Sequence, residues 1–314
     1  VISGYRSVFY SLSGSDSVET AIRACQLYHR KSERKHIIAF EESYHGSTYL
    51  TASLTGMEVF SHRLKEIPIE NIHHLPQDND PQKFIDLVNE LGGDNILAVV
   101  KEPVSWQSGL KPTSQEYYNT IRETCTQFDI LFVLDEICTG ICKTGEWFGY
   151  QRFDIDADIV CIGKGLTGGY FPLSATMFNE KVTKKLESTY LVNGWTHTPS
   201  MAGVHSANYV IQYIYKNNLA HRAYEIESWT KENFDGRHVG CFLAIDVSDM
   251  NTMNNAIDKM EKNGILVTGY RYDPILRYAF PLNITRETYD RAIQLHANAG
   301  VDLRGGALDA LFSP

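Results

Sequence analysis

The chain has 314 residues, of which 43% are hydrophobic, 21% charged and 11% aromatic. That composition supports a sizeable core and excludes a disordered chain, a collagen or a coiled coil. At about 150 residues per domain it suggests roughly two domains.

The net charge is −9, from 29 Lys and Arg against 38 Asp and Glu. That sign argues against nucleic-acid or membrane-surface binding, both of which need basic patches. No stretch reaches the roughly 18 apolar residues of a membrane helix. Six cysteines over this length are too sparse for a disulfide scaffold and point to a reducing, cytoplasmic setting. Cys138 and Cys142 form the only close pair, and no second pair or His cluster follows to complete a zinc site, so no metal is expected.

The chain opens on Val1 and runs into an apolar stretch to Phe9 with no signal-peptide features, as if it began inside a fold. Arg6–Leu12 is strand-like and ends in Ser13-Gly14-Ser15-Asp16-Ser17. Val18, Ile22, Cys25 and His29 then repeat at helical spacing. His36–Phe40 reads as a strand, with Tyr44-His45-Gly46 in the loop after it. Pro81–Leu91 reads as a helix and Asn95–Val100 as a strand leading into Glu102-Pro103. Ser114–Phe128 is a helix, Ile130–Leu134 a strand ending on Asp135-Glu136, and Asp158–Ile162 a strand ending on Gly163-Lys164-Gly165. Alternating helices and nearly continuous apolar strands predict an α/β fold, a mostly parallel sheet with helices on both faces.

Met201–Tyr215 is a long amphipathic helix leading out of that sheet, and the stretch from Tyr215 to Gly240 looks like a short linker. Beyond it lie strands at Gly240–Val247, Ile265–Val267 and Ile275–Ala279 and helices at Asn251–Asn263 and Arg286–Ala297, a smaller α+β domain. The predicted boundaries are thus a large domain over 1–215 and a small C-terminal domain over 216–314. Residues 300–314 have no assignment.

Each polar signal lies at the carboxyl end of a predicted strand, where open α/β sheets bind ligands. Ser13-Gly14-Ser15 is either an ordinary helix cap or a cradle in which helix N–H groups hold an anion. Asp135 follows five apolar residues, so it needs a cation or strong donors, either from within the fold or from a protonated heterocyclic nitrogen. Lys164 is either a solvated loop lysine or a desolvated one with a lowered pKa, available as a nucleophile for Schiff-base formation. A phosphate-loop reading fails, because the Gly-x-x-x-x-Gly-Lys-Ser/Thr spacing is absent around Lys164. Arg277 lies amid apolar and aromatic residues, either as a bidentate carboxylate partner or as an edge-strand arginine facing water. Anion cradle, buried Asp and nucleophilic Lys together describe a site for pyridoxal 5′-phosphate. In it Asp135 keeps the pyridine nitrogen protonated, and Lys164 anchors the cofactor and shuttles the proton.

From about Val8 to Ala297 the sequence resembles the class III (subgroup II) pyridoxal-phosphate aminotransferases of fold type I. Ser13-Gly14-Ser15-Asp16-Ser17 is similar to that family's phosphate turn, and Tyr44-His45-Gly46 to its Tyr-His-Gly, whose Tyr stacks on the cofactor ring. Glu102-Pro103-Val104 and Asp135-Glu136-Ile137 match two strand ends, which implies that Ile137 packs on the ring face opposite Tyr44. Gly163-Lys164-Gly165 with Gly168-Gly169 is similar to the Schiff-base lysine motif. Gly194-Trp195-Thr196 resembles the Gly-Phe-Thr segment, whose Thr reaches the phosphate of the neighbouring subunit. Arg277 with Pro281-Leu282 fits the region that binds substrate carboxylate.

The sequence also departs from that pattern. Pro199-Ser200-Met201 replaces the family's Gly-Asn/His-Pro, which makes Thr198 a second phosphate candidate. Cys138 stands where many members have Gln, and neutral Gln107 stands where ornithine- and GABA-type members shield the arginine with Glu. Little chain precedes the phosphate turn. The resemblance implies a homodimeric aminotransferase with composite active sites, moving an amino group from an amino acid or amine to a 2-keto acid through Lys164. The same site chemistry also fits a racemase, epimerase or aminomutase, and the short N-terminus motivates a non-catalytic or incomplete subunit.

Overall fold

In the computed structural model, which describes residues 3–57, 69–189, 191, 193–269 and 273–299, the chain divides into two units. The first takes Val1–Ser105, Pro112–Ile141 and Trp147–Lys216. The second takes Trp106–Lys111, Cys142–Glu146 and Asn217–Pro314.

The first unit is built on a seven-stranded sheet. Its order is β1 (Ser7–Ser11), β7 (Ser174–Phe178), β6 (Ile159–Ile162), β5 (Leu131–Asp135), β4 (Ile96–Lys101), β2 (His36–Phe40) and β3 (Ile72–Leu75). Its helices in chain order are α1 (Gly14–Tyr28), α2 (Tyr49–Leu54), α3 (Pro81–Leu91), α4 (Gln115–Gln127), α5 (Gly149–Arg152), α6 (Glu180–Glu187) and α7 (Met201–Lys216). Strands β4, β5 and β6 are buried along their whole length, so both faces need helices. On one face α1 presents Val18, Ala21, Ile22 and Cys25 to Ala98, Val133, Ile159 and Cys161. On the other, Tyr117 of α4 meets Phe40 and Phe84 of α3 edge to face, at 6.2 and 6.3 Å between ring centres.

Strands β2 to β6 run parallel, apart from the chain reversal at β7, which is antiparallel to both its neighbours. Two reversals return β1 to the direction of β6. Ser11 lies opposite Ser174 and Ile162 opposite Ala175, so β1 and β6 end at the same edge. The Ser174 hydroxyl donates to the Ser13 carbonyl and ties that edge together. The loops after β1, β2, β4, β5 and β6 therefore converge.

The second unit holds α8 (Leu219–Asn233), β8 (Arg237–Val239), β9 (Phe242–Asp246), α9 (Met250–Lys262), β10 (Thr268–Gly269), β11 (Ile275–Ala279) and α10 (Arg286–Asn298). Its sheet has the order β10-β11-β9-β8 and is antiparallel throughout. Leu243, Ile245, Leu276 and Tyr278 pack on Met253, Ala256 and Met260 of α9. The segment from Tyr215 to Gly240, expected as a short linker, is mostly α8 and β8. The strand expected at Ile265–Val267 is instead the closing turn of α9, where the Ile265 N–H donates to the Met260 carbonyl and Leu266 is exposed. Pairing begins only at Thr268. Among the described residues no helix is long and apolar enough to cross a membrane, and no disulfide joins the six cysteines.

Glu136, directly after β5, is fully buried and organises the next turn. It accepts from the N–H of Gly149 (2.6 Å), the N–H of Tyr150 (2.7 Å) and the Thr139 hydroxyl (3.0 Å). Burial nevertheless outweighs these donors and pushes its carboxyl from 4.5 up to about 7. A carboxyl raised on folding contributes stability that is full below the unfolded value and lost as pH rises through the folded one. The loss is on the order of 3 kcal/mol for a shift of this size. Glu136→Gln should therefore lower Tm near pH 5, because one N–H loses its acceptor, yet shrink the fall in Tm between pH 5 and pH 8. Calorimetric scans across that range check this, and an unchanged slope contradicts it.

Candidate active site

Five loops of the first unit bring their polar residues to the common sheet edge. The first begins at Ser13, where a capping box starts α1: the Asp16 N–H donates to the Ser13 hydroxyl at 3.2 Å and the Ser13 N–H to the Asp16 carboxylate at 3.0 Å. The cap and the anion cradle foreseen for this turn are compatible, because the box engages Asp16 and leaves the start of the helix facing the edge. Ser15 links this turn to the next loop by accepting from the Ser47 N–H at 3.1 Å.

The loop after β2 is pinned on both sides. The Tyr44 N–H donates to Glu102 at 3.0 Å, and the His45 N–H to the Thr55 hydroxyl at 2.9 Å. The His45 ring then reaches Asp135, with Nδ1 2.9 Å from Oδ2. His45 is 2% exposed and Asp135 3%. The other carboxylate oxygen of Asp135 accepts from the Ile137 N–H at 3.0 Å. Asp135 is thus satisfied within the fold by a ring nitrogen and a backbone N–H, while His45 Nε2 is buried with no partner among the described residues. Ile137 packs where Gly14 and Gly163 leave room: a Cβ at either position would lie 3.0 to 3.2 Å from its side chain.

Glu102 ends β4 and is buried, taking the Tyr44 N–H and the Ser105 hydroxyl, the latter at 3.2 Å. Ser105 also donates to the Glu42 carbonyl at 3.1 Å, so one hydroxyl joins the β2 and β4 loops. Burial, reinforced by Asp135, pushes the Glu102 carboxyl up to about 7 against the opposing pull of His45, the Tyr44 N–H and Lys164.

Lys164 follows β6 and opens a short 3-10 turn with φ at +41°, a left-handed conformation that only Gly adopts without strain. The side chain keeps access to solvent. Desolvation lowers its pKa, as the sequence suggested, but the acidic groups around it, Cys138 first and then Asp135, Glu102 and Tyr44, outweigh that effect and hold it above its ordinary value. The expectation of a lowered lysine is corrected here. Cys138 and the acids that gather at this edge together decide the sign.

Ser13, Gly14, Ser15, Tyr44, His45, Glu102, Asp135, Ile137 and Lys164 therefore lie on one network. Thr196 is exposed in a turn outside it. Thr198 is half-buried, and its hydroxyl has no partner among the described residues. Arg277 belongs to the second unit, on β11 between β9 and β10, and is 9% exposed rather than facing water from an edge. Its Nη1 donates to the Gln107 side chain, and its guanidinium lies 5.4 Å over the Trp106 ring. Sequence reasoning flagged His45 without its bond to Asp135 and missed Thr55 and Ser105. The only signal was that of Ser105, which lies just beyond the strand end at Glu102-Pro103.

A model of the class III aminotransferases matches residues 1–299. An uncharacterized aminotransferase of Sinorhizobium fredii is 30% identical, over 93% of this chain and 72% of its own length. Acetylornithine aminotransferase of Methanothermobacter thermautotrophicus is 29% identical, over 96% and 76%. A solved transaminase, from directed evolution by ancestral reconstruction, matches with a TM-score of 0.88 at 25% identity, over 99% of this chain and 76% of that one. The mostly parallel seven-stranded sheet is accordingly that of the fold type I transaminases, whose cofactor is pyridoxal 5′-phosphate. The chain belongs to the class III aminotransferase family.

Proposed function

We propose that this aminotransferase holds pyridoxal 5′-phosphate along the edge formed by Ser13–Ser15, Tyr44, His45, Glu102, Asp135, Ile137 and Lys164. There it moves an amino group from an amino acid or amine to a 2-keto acid. The observation that carries the reading is the buried Asp135–His45 pair, 2.9 Å apart, at the sheet edge that also carries Lys164. The donor set suits the cofactor: a carboxylate for a ring nitrogen, an amine for an aldehyde, and a capped helix start with hydroxyls for a phosphate.

When bound, the cofactor supplies an electron sink for the electron pair left on the substrate Cα after its proton departs. The chain's residues do the rest. Asp135, held by His45 and the Ile137 N–H, would accept the ring nitrogen's proton-bearing edge and keep it protonated. Tyr44 and Ile137 would hold the ring between them. Lys164 would hold the cofactor through its amine and, once released from it, would serve as the base for the substrate Cα proton. Arg277 binds the substrate carboxylate. We assign the cofactor site to a large domain over 1–215 and the substrate carboxylate site to a small one over 216–314. The exposed position of Thr196 supports a homodimer in which it reaches the neighbouring subunit's phosphate, with Thr198 as the second candidate. The thiol chemistry of six cysteines without a disulfide supports a cytoplasmic location.

With an amino donor alone, the loaded enzyme should make at most one equivalent of keto product, and adding a 2-keto acid should restore continuous turnover. Product counting with and without acceptor checks this. Sustained inversion of the donor with no acceptor identifies a racemase instead. Asp135→Asn keeps the shape but not the charge, and should lower kcat/KM by about 10²-fold or more. A steady-state assay at saturating cofactor measures it, and a loss under threefold removes Asp135 from the mechanism.

A further inference from the structure

We infer that Arg237, which lies outside the groups assigned above, sets how readily Arg277 engages a substrate carboxylate, by clamping the strap Trp106–Lys111 over the second unit's sheet. The inference rests on the reading that the carboxylate docks on Arg277.

The strand register places both arginines on one face. Ala244 of β9 lies opposite Arg277 of β11 on one side and opposite Arg237 of β8 on the other, and residues paired across strands share a face. Alternation along β9 adds Phe242 and Asp246 to that face. The small Ala244 leaves room for a guanidinium on each side of it.

The strap covers this face contact by contact. The Trp106 ring lies 4.9 Å from Phe242. The Gln107 side chain accepts from Arg277 Nη1, and the Gln107 carbonyl lies 3.4 Å from the same nitrogen. The Gly109 carbonyl accepts from Arg237 Nε. Asp246 takes both terminal nitrogens of Arg237, Nη2 at 2.7 Å, so the Arg237 fork cannot turn away from the strap. Gly109 has φ at +77°, and a Cβ there would lie 2.9 Å from Ile275 and 3.0 Å from Arg237, so the strap is pressed directly onto the face.

Arg277 is nearly buried, and a buried guanidinium that loses its acceptor is costly. Gln107 is neutral, so a substrate carboxylate displaces its oxygen through a stronger charge-assisted bond. A donor without a carboxylate leaves Gln107 where it is. The clamp keeps Gln107 within reach in both cases, and the site then accepts amino acids and carboxylate-free amines alike. Arg237 acts through the strap and is a positioning residue.

The test compares the holoenzyme with its Arg237→Ala, Asp246→Asn and Arg277→Lys variants. The donors are an amino acid and its decarboxylated amine: L-phenylalanine with 2-phenylethylamine, and L-ornithine with putrescine. Wild type should use at least one amine. Arg237→Ala should lower kcat/KM for that amine about 10-fold through KM, change the amino acid less than about 3-fold, and leave kcat alone. Backbone hydrogen exchange over 104–111 should quicken about 10-fold in the same variant, a readout independent of turnover. Asp246→Asn, whose side chain is 61% exposed, should shift both in the same direction and carries the test if Arg237→Ala does not fold. Arg277→Lys should raise the amino-acid KM at least about 10-fold.

Unchanged exchange, an unchanged amine-to-amino-acid ratio, or a wild type inert to both amines overturns the role of Arg237. If Arg277→Lys leaves the amino-acid KM untouched, the carboxylate reading of Arg277 fails, and the role of Arg237 with it. A strong Arg277→Lys effect beside a silent Arg237→Ala removes the clamp alone.

Discussion

A carboxylate that follows five buried apolar residues can be satisfied only by what the fold carries to it, and Asp135 is in that position. Its two partners impose most of the site's geometry. The His45 ring arrives only if the loop after β2 folds back toward β5, and that loop is held by Glu102 and Thr55. The Ile137 N–H arrives only if the chain turns sharply after β5, which Gly14 and Gly163 permit by leaving space for the Ile137 side chain. The turn before α1, the loop after β2 and the ends of β4, β5 and β6 are thus tied into one unit by a single buried charge.

The same gathering of acids controls the electrostatics. Glu102 and Glu136 are pushed up by burial, while Lys164 is raised because the acids around it outweigh its own desolvation. Lys164 sits in a strained left-handed conformation at this acidic edge. The second unit handles charge differently. Its two arginines are spaced by Ala244 and covered by a strap from another part of the chain.

Much of this was legible in the sequence, for physical reasons that can be named. Fully buried parallel strands such as Ile96–Lys101 and Leu131–Asp135 show as continuous apolar runs, and a polar residue at the end of each marks the ligand edge. Helices with one apolar face, such as Pro81–Leu91, were equally plain. Strand β7 was hidden because Ser174–Phe178 continues the glycine-rich stretch after Lys164, and α8 because its apolar and polar residues are poorly segregated around the helix. Ile265–Val267 had strand composition but serves to close α9. The His45–Asp135 bond joins residues 90 positions apart, and the sign of the Lys164 shift depends on groups from three separate segments. Neither leaves a local pattern. The strap likewise depends on a strand register that no single segment encodes.

The central claim is that Lys164, set among Asp135, Glu102 and Tyr44, is the amine that holds pyridoxal 5′-phosphate. The visible absorption spectrum of the purified protein given that cofactor tests it most directly. Wild type should acquire a visible band that survives gel filtration, and Lys164→Ala should lack it while keeping the wild-type far-ultraviolet circular dichroism. A folded Lys164→Ala protein that retains the band, or a wild type that stays colourless with cofactor in excess, contradicts the account.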